Sequence, residues 1–285
     1  MLSIVLHLAA GSQIGLGHLS RCLSLAHILY QKKHKVFVIC EGDYVDHREF
    51  PFEVHFVKDR DNALDIRQQI PKPKIIISDL FEKPSETDIN IYHNDQDINH
   101  LIINPQITDM QPPQLPTISQ INSCLITMGG ADPDQQTEKL CLHLDKKIKY
   151  TIVAGAAWNN QRVQNFRKNC PFSVIEIPDT VSMGKCILQH DMVVTMGGTT
   201  SYEAMVLGKP VCAIEWKYMT PYVKNLDNEN LLTTLGPVGN AAAKLSAIIN
   251  NPQQWQKCQT HAWQTIDGLG GYRLAKYIQR KTIET

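Results

Sequence analysis

The sequence has no excess of charge: 28 Lys and Arg stand against 28 Asp and Glu in 285 residues. Without a basic surplus there is no electrostatic footprint for nucleic acid or an anionic membrane, so a small-molecule substrate is the better expectation. No apolar run reaches the roughly 18 residues that a membrane span needs. The stretch Met1–Ala10 is apolar but has no charged leader, and it runs into a glycine loop rather than a cleavage site. It therefore reads as a first strand, not a signal peptide, and a cytoplasmic protein is expected. Eight cysteines are present, at 22, 40, 124, 141, 170, 186, 212 and 258, but no C-x-x-C pair is among them. Cys40 and Cys212 sit in apolar strand-like runs, where a thiol acts as a small hydrophobe, and reduced cysteines follow. The histidines form no H-x-x-x-H pair, and Asp95 and Asp97 in Asn94-Asp-Gln-Asp-Ile98 read as a solvated turn. Neither a metal nor a cofactor is expected. A Walker loop and a G-x-S-x-G elbow are also missing.

What is present is a steady alternation of short apolar runs with longer helical patterns. Ser3–Leu8, Lys35–Cys40, Lys74–Ser78 and Leu101–Ile103 read as strands of one sheet. Ser123–Thr127, Tyr150–Val153, Ser173–Ile177, Met192–Thr195 and Val211–Ile214 read as strands of a second. Unbroken runs such as Ile75-Ile76-Ile77 suit strands buried on both faces, as in a parallel sheet covered by helices. Leu19, Cys22, Leu23, Ala26 and Leu29 form one apolar stripe of a helix from Leu19 to Tyr30. The alternation predicts an α/β protein of two Rossmann-like domains facing a cleft. Asn104–Asn122, rich in Pro and Gln, is the predicted linker. It separates residues 1–115 from residues 116–285, and the helical tail from Trp255 to Ile283, broken at Gly268–Gly271, is expected to close the second domain.

Three glycine turns follow strands. Gly15-Leu-Gly17-His18 lies between the first strand and the Leu19 helix. Glycines there permit positive φ and close approach of backbone to a ligand, and carboxyl ends of strands are where open α/β sheets bind ligands. Positive charge is disfavoured at a helix amino terminus, so an imidazole there is kept available as a base; a solvated or capping histidine is the plainer alternative. In the second turn, Thr127-Met-Gly129-Gly130-Ala-Asp132-Pro133, Asp132, Pro133 and Gln135 spell an N-cap, an N1 proline and a capping-box partner. Its two glycines are left for approach to a ligand. The third turn, Thr195-Met-Gly197-Gly198-Thr199-Thr200-Ser201-Tyr-Glu203, joins glycines and hydroxyl groups to a helix start, which suits a phosphate or diphosphate. A capping box Thr200-x-x-Glu203 is the competing reading.

The block Ser12-Gln-Ile-Gly-Leu-Gly-His-Leu-Ser-Arg-Cys-Leu-Ser-Leu-Ala26 resembles the amino-terminal signature of the UDP-sugar hydrolases of pseudaminic acid biosynthesis. That family is related to spore-coat polysaccharide proteins and built like GT-B glycosyltransferases. Leu125–Pro133, Asp191–Pro210 and Ile266–Arg273 are similar to its later blocks, so the resemblance spans nearly the whole chain. The resemblance implies metal-free hydrolysis of a UDP-linked diacetamido-trideoxy sugar at its anomeric carbon, with inversion and release of UDP. His18 would be the general base. Gly15, Gly17, Arg21, Asp79, Gly129, Gly130, Met183, Gly197, Gly198, Thr199, Thr200, Ser201 and Glu203 would contact the substrate, Glu203 at the ribose or as a support of the loop. Uracil would lie near Pro178–Met183. No partner beyond the UDP-sugar is implied, and a monomer is expected.

The chain departs from the family at three places. The family's R-x-D before the histidine block is here His7-Leu8-Ala9, and its D-x-Y is Asp79-Leu80-Phe81. Its N-Q pair before a helix is represented only by Asn225-Leu226 or Asn228-Glu229. The sugar-recognising half is therefore altered, while the nucleotide half and His18 are retained. A GT-B glycosyltransferase with a hydroxyl acceptor and a non-catalytic nucleotide-sugar binder are the alternatives.

Overall fold

Runs of branched aliphatic residues become the central strands of two parallel sheets. The computed structural model describes residues 3–72, 74–80, 87–91, 101–177 and 179–284. Its contacts divide the chain into two units, residues 1–105 with 268–285, and residues 106–267.

The first unit runs β1 (Ser3–Ala9), α1 (Gly17–Gln31), β2 (Lys35–Glu41), β3 (Glu53–Val57), α2 (Arg60–Gln69), β4 (Lys74–Asp79) and β5 (Ile89–Asn90). All neighbours are parallel, in the order β3-β2-β1-β4-β5. Alternation along β1 sends Ile4, Leu6 and Leu8 to a core shared with Cys22, Leu25 and Leu29 of α1. Val5 goes to the other face, with Phe37, Ile39, Ala63, Ile70 and Ile76. Helix α2 is capped by Asp59, whose carboxylate accepts from the Asn62 N–H at 3.0 Å. Chain order reverses between β1 and β4, so the carboxyl ends of these two strands form the switch point at which such sheets bind ligands.

The second unit contains α3 (Pro105–Thr108), β6 (Ser123–Ile126), α4 (Gln136–Cys141), β7 (Lys149–Ala154), α5 (Asn160–Asn169), β8 (Ser173–Glu176), α6 (Thr180–Leu188), β9 (Met192–Thr195), α7 (Thr199–Val206), β10 (Val211–Ile214), α8 (Thr220–Asn228), β11 (Thr233–Gly236), α9 (Val238–Ile249) and α10 (Pro252–Thr265). A single 3₁₀ turn, Lys217–Met219, precedes α8. The sheet order is β11-β10-β9-β6-β7-β8, again all parallel. Its switch point lies between β6 and β9, the two strands that end in Thr-Met-Gly-Gly.

The last helix, α11 (Gly270–Glu284), packs on α1 and places Leu274, Ala275 and Ile278 in the first unit's core. The expected division at 115/116, with the tail in the second half, is thus corrected. The change of unit falls at 105/106, and the tail returns because its apolar stripe completes the α1 face. From residue 106 onward the predicted linker belongs to the second unit, with Ile107 and Met110 filling the space beside Gly184. Leu101–Ile103 are buried but form no strand, and β3, β5 and β11 are strands that the apolar runs did not mark. Asp95, Asp97, Phe81 and Pro178 lie outside the described residues. Among the described residues, no helix is long and apolar enough to cross a membrane.

Candidate functional site

In the first unit, the chain leaves β1 through a tight finger closed by reciprocal bonds, Gly11 N–H to Gly15 C=O at 3.2 Å and Gly15 N–H to Gly11 C=O at 2.8 Å. Gly15 has φ +90°, a conformation that favours glycine. Gly17 then opens α1, and His18 is in its first turn. Sixty-one residues later, Asp79 ends β4. The two strands pair directly, Leu8 beside Asp79, so both residues meet at the sheet's switch point.

His18 Nδ1 lies 2.9 Å from Asp79 Oδ1. Arg21, one turn along α1, donates from Nε to Asp79 Oδ2 at 2.9 Å and from Nη2 to Oδ1 at 2.8 Å, a two-pronged grip on the same carboxylate. The Cys22 thiol points at Oδ2 from 3.7 Å. Asp79 is buried. Burial opposes its charge, yet the hydrogen bond to His18, the charges of Arg21 and His18, and the Arg21 hydrogen bond outweigh it and hold the carboxyl at about 2. Such a carboxylate only accepts, which makes Nδ1 the donor and directs the basic lone pair to Nε2. The His18 side chain keeps 21% exposure, while that of Asp79 keeps none. Asp79 and Arg21, expected among substrate contacts, are engaged with one another and with His18.

His7, at the place of the family's arginine, is buried on the sheet face opposite α1. Its Nε2 is 3.4 Å from Glu41 Oε2 and its Nδ1 3.4 Å from Arg67 Nη1. It belongs to a buried charge cluster and not to the His18 group.

In the second unit, both expected glycine turns lie at the switch point. Gly129 has φ +80°. A Cβ on the neighbouring Gly155, just after β7, would sit 2.3 Å from the Gly130 oxygen and 2.7 Å from that of Gly129. The turn is therefore pressed against bare backbone, and Ala157 N–H fixes it by donating to Gly130 C=O at 2.9 Å. Asp132 does cap α4, but from further back than expected. With φ +43° it accepts from the Gln136 and Thr137 N–H groups at 2.7 and 3.0 Å, because residues 132–135 form a turn before the helix begins at Gln136. Arg162, which no sequence pattern singled out, bonds Asp132 and Glu138 and stacks 3.6 Å above the Trp158 ring.

The third turn is built from its own hydroxyls. Thr195 Oγ1 accepts from Gly197 N–H at 3.0 Å and lies 2.7 Å from Ser201 Oγ. Gly197 has φ +83°, and a Cβ there would strike Val223 at 2.6 Å. Helix α7 starts at Thr199, with exposed Gly198 at its cap position and no side-chain cap. The first-turn amides of such a helix have no intrahelical acceptors, and its dipole favours an anion. The competing reading, a Thr200–Glu203 capping box, does not form, since Thr200 is already inside the helix. Glu203 is buried, and burial raises its carboxyl to about 7, against a lowering hydrogen bond from Thr200. Ser201 is buried as well. Both residues hold the turn from behind, leaving Gly198, Thr199 and Thr200 at the surface side. Met183 lies half-buried in the first turn of α6, next to the Asp179 cap that accepts from Ser182 N–H at 2.7 Å. Asn225 and Asn228 lie within α8 rather than before it, because Pro221 sets that helix's first turn earlier. Among the described residues, no group of three or more His, Cys, Asp or Glu is placed to hold a metal.

No protein-family model matches the sequence, and no curated protein matches it either. Solved structures do match in fold. S. aureus MnaA, solved with UDP, aligns over 99% of this chain and 97% of its own, at 12% identity and TM-score 0.65. The glycosyltransferase SnogD from Streptomyces nogalater aligns over 98% and 99% at 12% identity and TM-score 0.60. A UDP-N-acetylglucosamine 2-epimerase aligns over 99% and 96% at 12% identity and TM-score 0.55. The fold is that of the GT-B class: two Rossmann-like units, each with a parallel sheet.

Proposed function

We propose that the protein is a metal-independent nucleotide-sugar enzyme that cleaves the bond between a sugar's anomeric carbon and UDP, with water as the acceptor. The observation that carries this is the His18–Asp79–Arg21 group at the first sheet's switch point. A carboxylate that fixes Nδ1–H turns Nε2 into a proton acceptor and stabilises the imidazolium that forms, which is the arrangement of a general base. The oxygen of a water would bond to the anomeric carbon as His18 takes its proton. The C–O bond to the diphosphate breaks on the opposite side, its electron pair goes to the leaving oxygen, and the sugar is released inverted.

Taken by itself, the β9 turn of the second unit suits a diphosphate leaving group. Preorganised amides at Gly198–Thr200 and the α7 dipole can stabilise charge that develops on a diphosphate, in place of a cation. The fold shared with a protein solved with UDP supports a uridine nucleotide. The resemblance of the Ser12–Ala26 block supports a diacetamido-trideoxy sugar of nonulosonic acid synthesis. A hydroxyl acceptor in place of water is the second reading, favoured by the glycosyltransferases that share the fold.

The test is release of UDP from UDP-linked amino sugars in EDTA, without and with candidate acceptors, followed by mass spectrometry of the sugar. Hydrolysis predicts steady UDP release from donor alone, and His18→Asn should cost on the order of 10²–10⁴-fold in kcat. Release that requires an added hydroxyl would move the reading to transfer. Full activity in the His18 variant would remove the base from this scheme.

A further inference from the structure

Beside the β9 turn, two loops are joined to each other. Trp216 Nε1 donates to Asp134 Oδ2 at 2.8 Å, and Lys217 Nζ lies 2.7 Å from the same oxygen. Asp134 belongs to the turn after β6, and Trp216 and Lys217 to the turn after β10. In the sheet these strands flank β9 on either side, so the bridge spans the carboxyl end of β9, where the Gly197–Ser201 turn begins. The turn after β10 reaches that glycine directly. Met219 Cε and Tyr222 Cδ1 come within 3.8 and 3.9 Å of the Cβ position at Gly197.

Three further features set this bridge apart from an ordinary surface pair. Lys217 is held in the left-handed region at φ +41°, as are Asp132 at +43° and Gln135 at +56° on the other side. Side chains pay for that conformation in strain, and it persists where the surroundings demand it. The Lys217 ammonium also sits 5.2 Å from the centre of the Trp216 ring, which is itself buried. The Lys217 side chain is nevertheless 60% exposed, so it can turn without unpacking anything.

We propose that Lys217 is the cation that meets the diphosphate, and that Asp134 holds it aside until the nucleotide arrives; this rests on reading the β9 turn as the diphosphate site. A diphosphate at Gly198–Thr200 and the Asp134 carboxylate compete for one ammonium, which is carried two residues before Met219, one of the side chains that cover Gly197. When the nucleotide binds, Lys217 exchanges a single carboxylate for a more highly charged anion, and Asp134 keeps its bond from Trp216. The exchange makes recognition specific for the phosphates and neutralises them without a metal.

Calorimetry of the full chain with UDP and with uridine, in EDTA, tests this. Lys217→Met should weaken UDP about tenfold, the scale of one lost charge-assisted contact. Lys217→Arg should restore most of that affinity. Asp134→Asn keeps an acceptor for Trp216 but frees the ammonium, and should tighten UDP about threefold. Uridine, which lacks phosphate, should be indifferent to all three changes. If Lys217→Met and Asp134→Asn weaken UDP alike, or weaken uridine as much as UDP, the bridge is a structural strut and the inference falls. If the unaltered protein binds neither UDP nor uridine, the nucleotide reading itself fails.

Discussion

Replacing Asp79 by Asn removes one charge and little volume from the first site, and its consequences follow from the geometry. At neutral pH the loss leaves the Arg21 guanidinium, 11% exposed, facing an amide. Removing one partner of a buried pair costs about 3–5 kcal/mol, and partial access of Arg21 to water sets the value here at about 3 kcal/mol. Part of that is linked to protons. The Asp79 carboxyl has an ordinary value of 3.8 and lies at about 2 in the fold, a difference of about 2 kcal/mol. The folded value is depressed, so this contribution is present above pH 3.8 and is lost as pH falls toward 2. The gap between the two proteins should therefore narrow on acidification. Catalysis should suffer separately. The asparagine cannot hold Nδ1–H as an acceptor of full charge, so kcat for UDP release should fall about 10²–10⁴-fold, while UDP affinity, which the proposed function assigns to the β9 turn, should stay unchanged. Denaturant titrations at several pH values, with kcat and calorimetry on the same samples, give all three readings. A variant as stable as the parent at pH 7 would refute the ion-pair argument. A destabilised variant with kcat within threefold would leave Asp79 structural and take it out of the base.

Glu203→Gln probes the second site. The native carboxyl is raised from 4.5 to about 7, so the fold holds its proton more tightly than the unfolded chain does. The parent should lose up to about 3 kcal/mol as pH rises from 4.5 to 7 and stay level above that; the Gln variant should lack this loss, and identical pH–stability curves would rule the burial argument out. Gly155→Ala brings a Cβ against the backbone oxygens of Gly129 and Gly130. Thermal unfolding should show a cost of about 1–3 kcal/mol, with weakened UDP binding; a variant that binds UDP as the parent does would mean that the β6 turn takes no part in nucleotide binding.

How far the sequence could be read depends on where each residue sits. Central strands such as β1, β2, β4, β6, β9 and β10 are buried on both faces, so they appear as unbroken apolar runs. The three strands it did not reveal, β3, β5 and β11, all lie at sheet ends among the described residues. An end strand has one neighbour and less apolar pressure, and Glu53–Val57 and Thr233–Gly236 carry correspondingly mixed residues. The three glycine turns were legible because backbone conformation is a local demand that only a few residues satisfy.

By itself the sequence determined the doubly wound α/β class, the α1 helix and the glycine turns after β1, β6 and β9, all of which follow from local periodicity and backbone freedom. Only the tertiary structure decided which groups meet. Asp79 reaches His18 because β4 pairs with β1, Lys217 and Trp216 reach Asp134 because β10 and β6 flank β9, and α11 returns to α1 because both expose apolar stripes. It also decided that Glu203 and Ser201 are buried, since burial depends on what packs against a helix and not on the helix's own spacing.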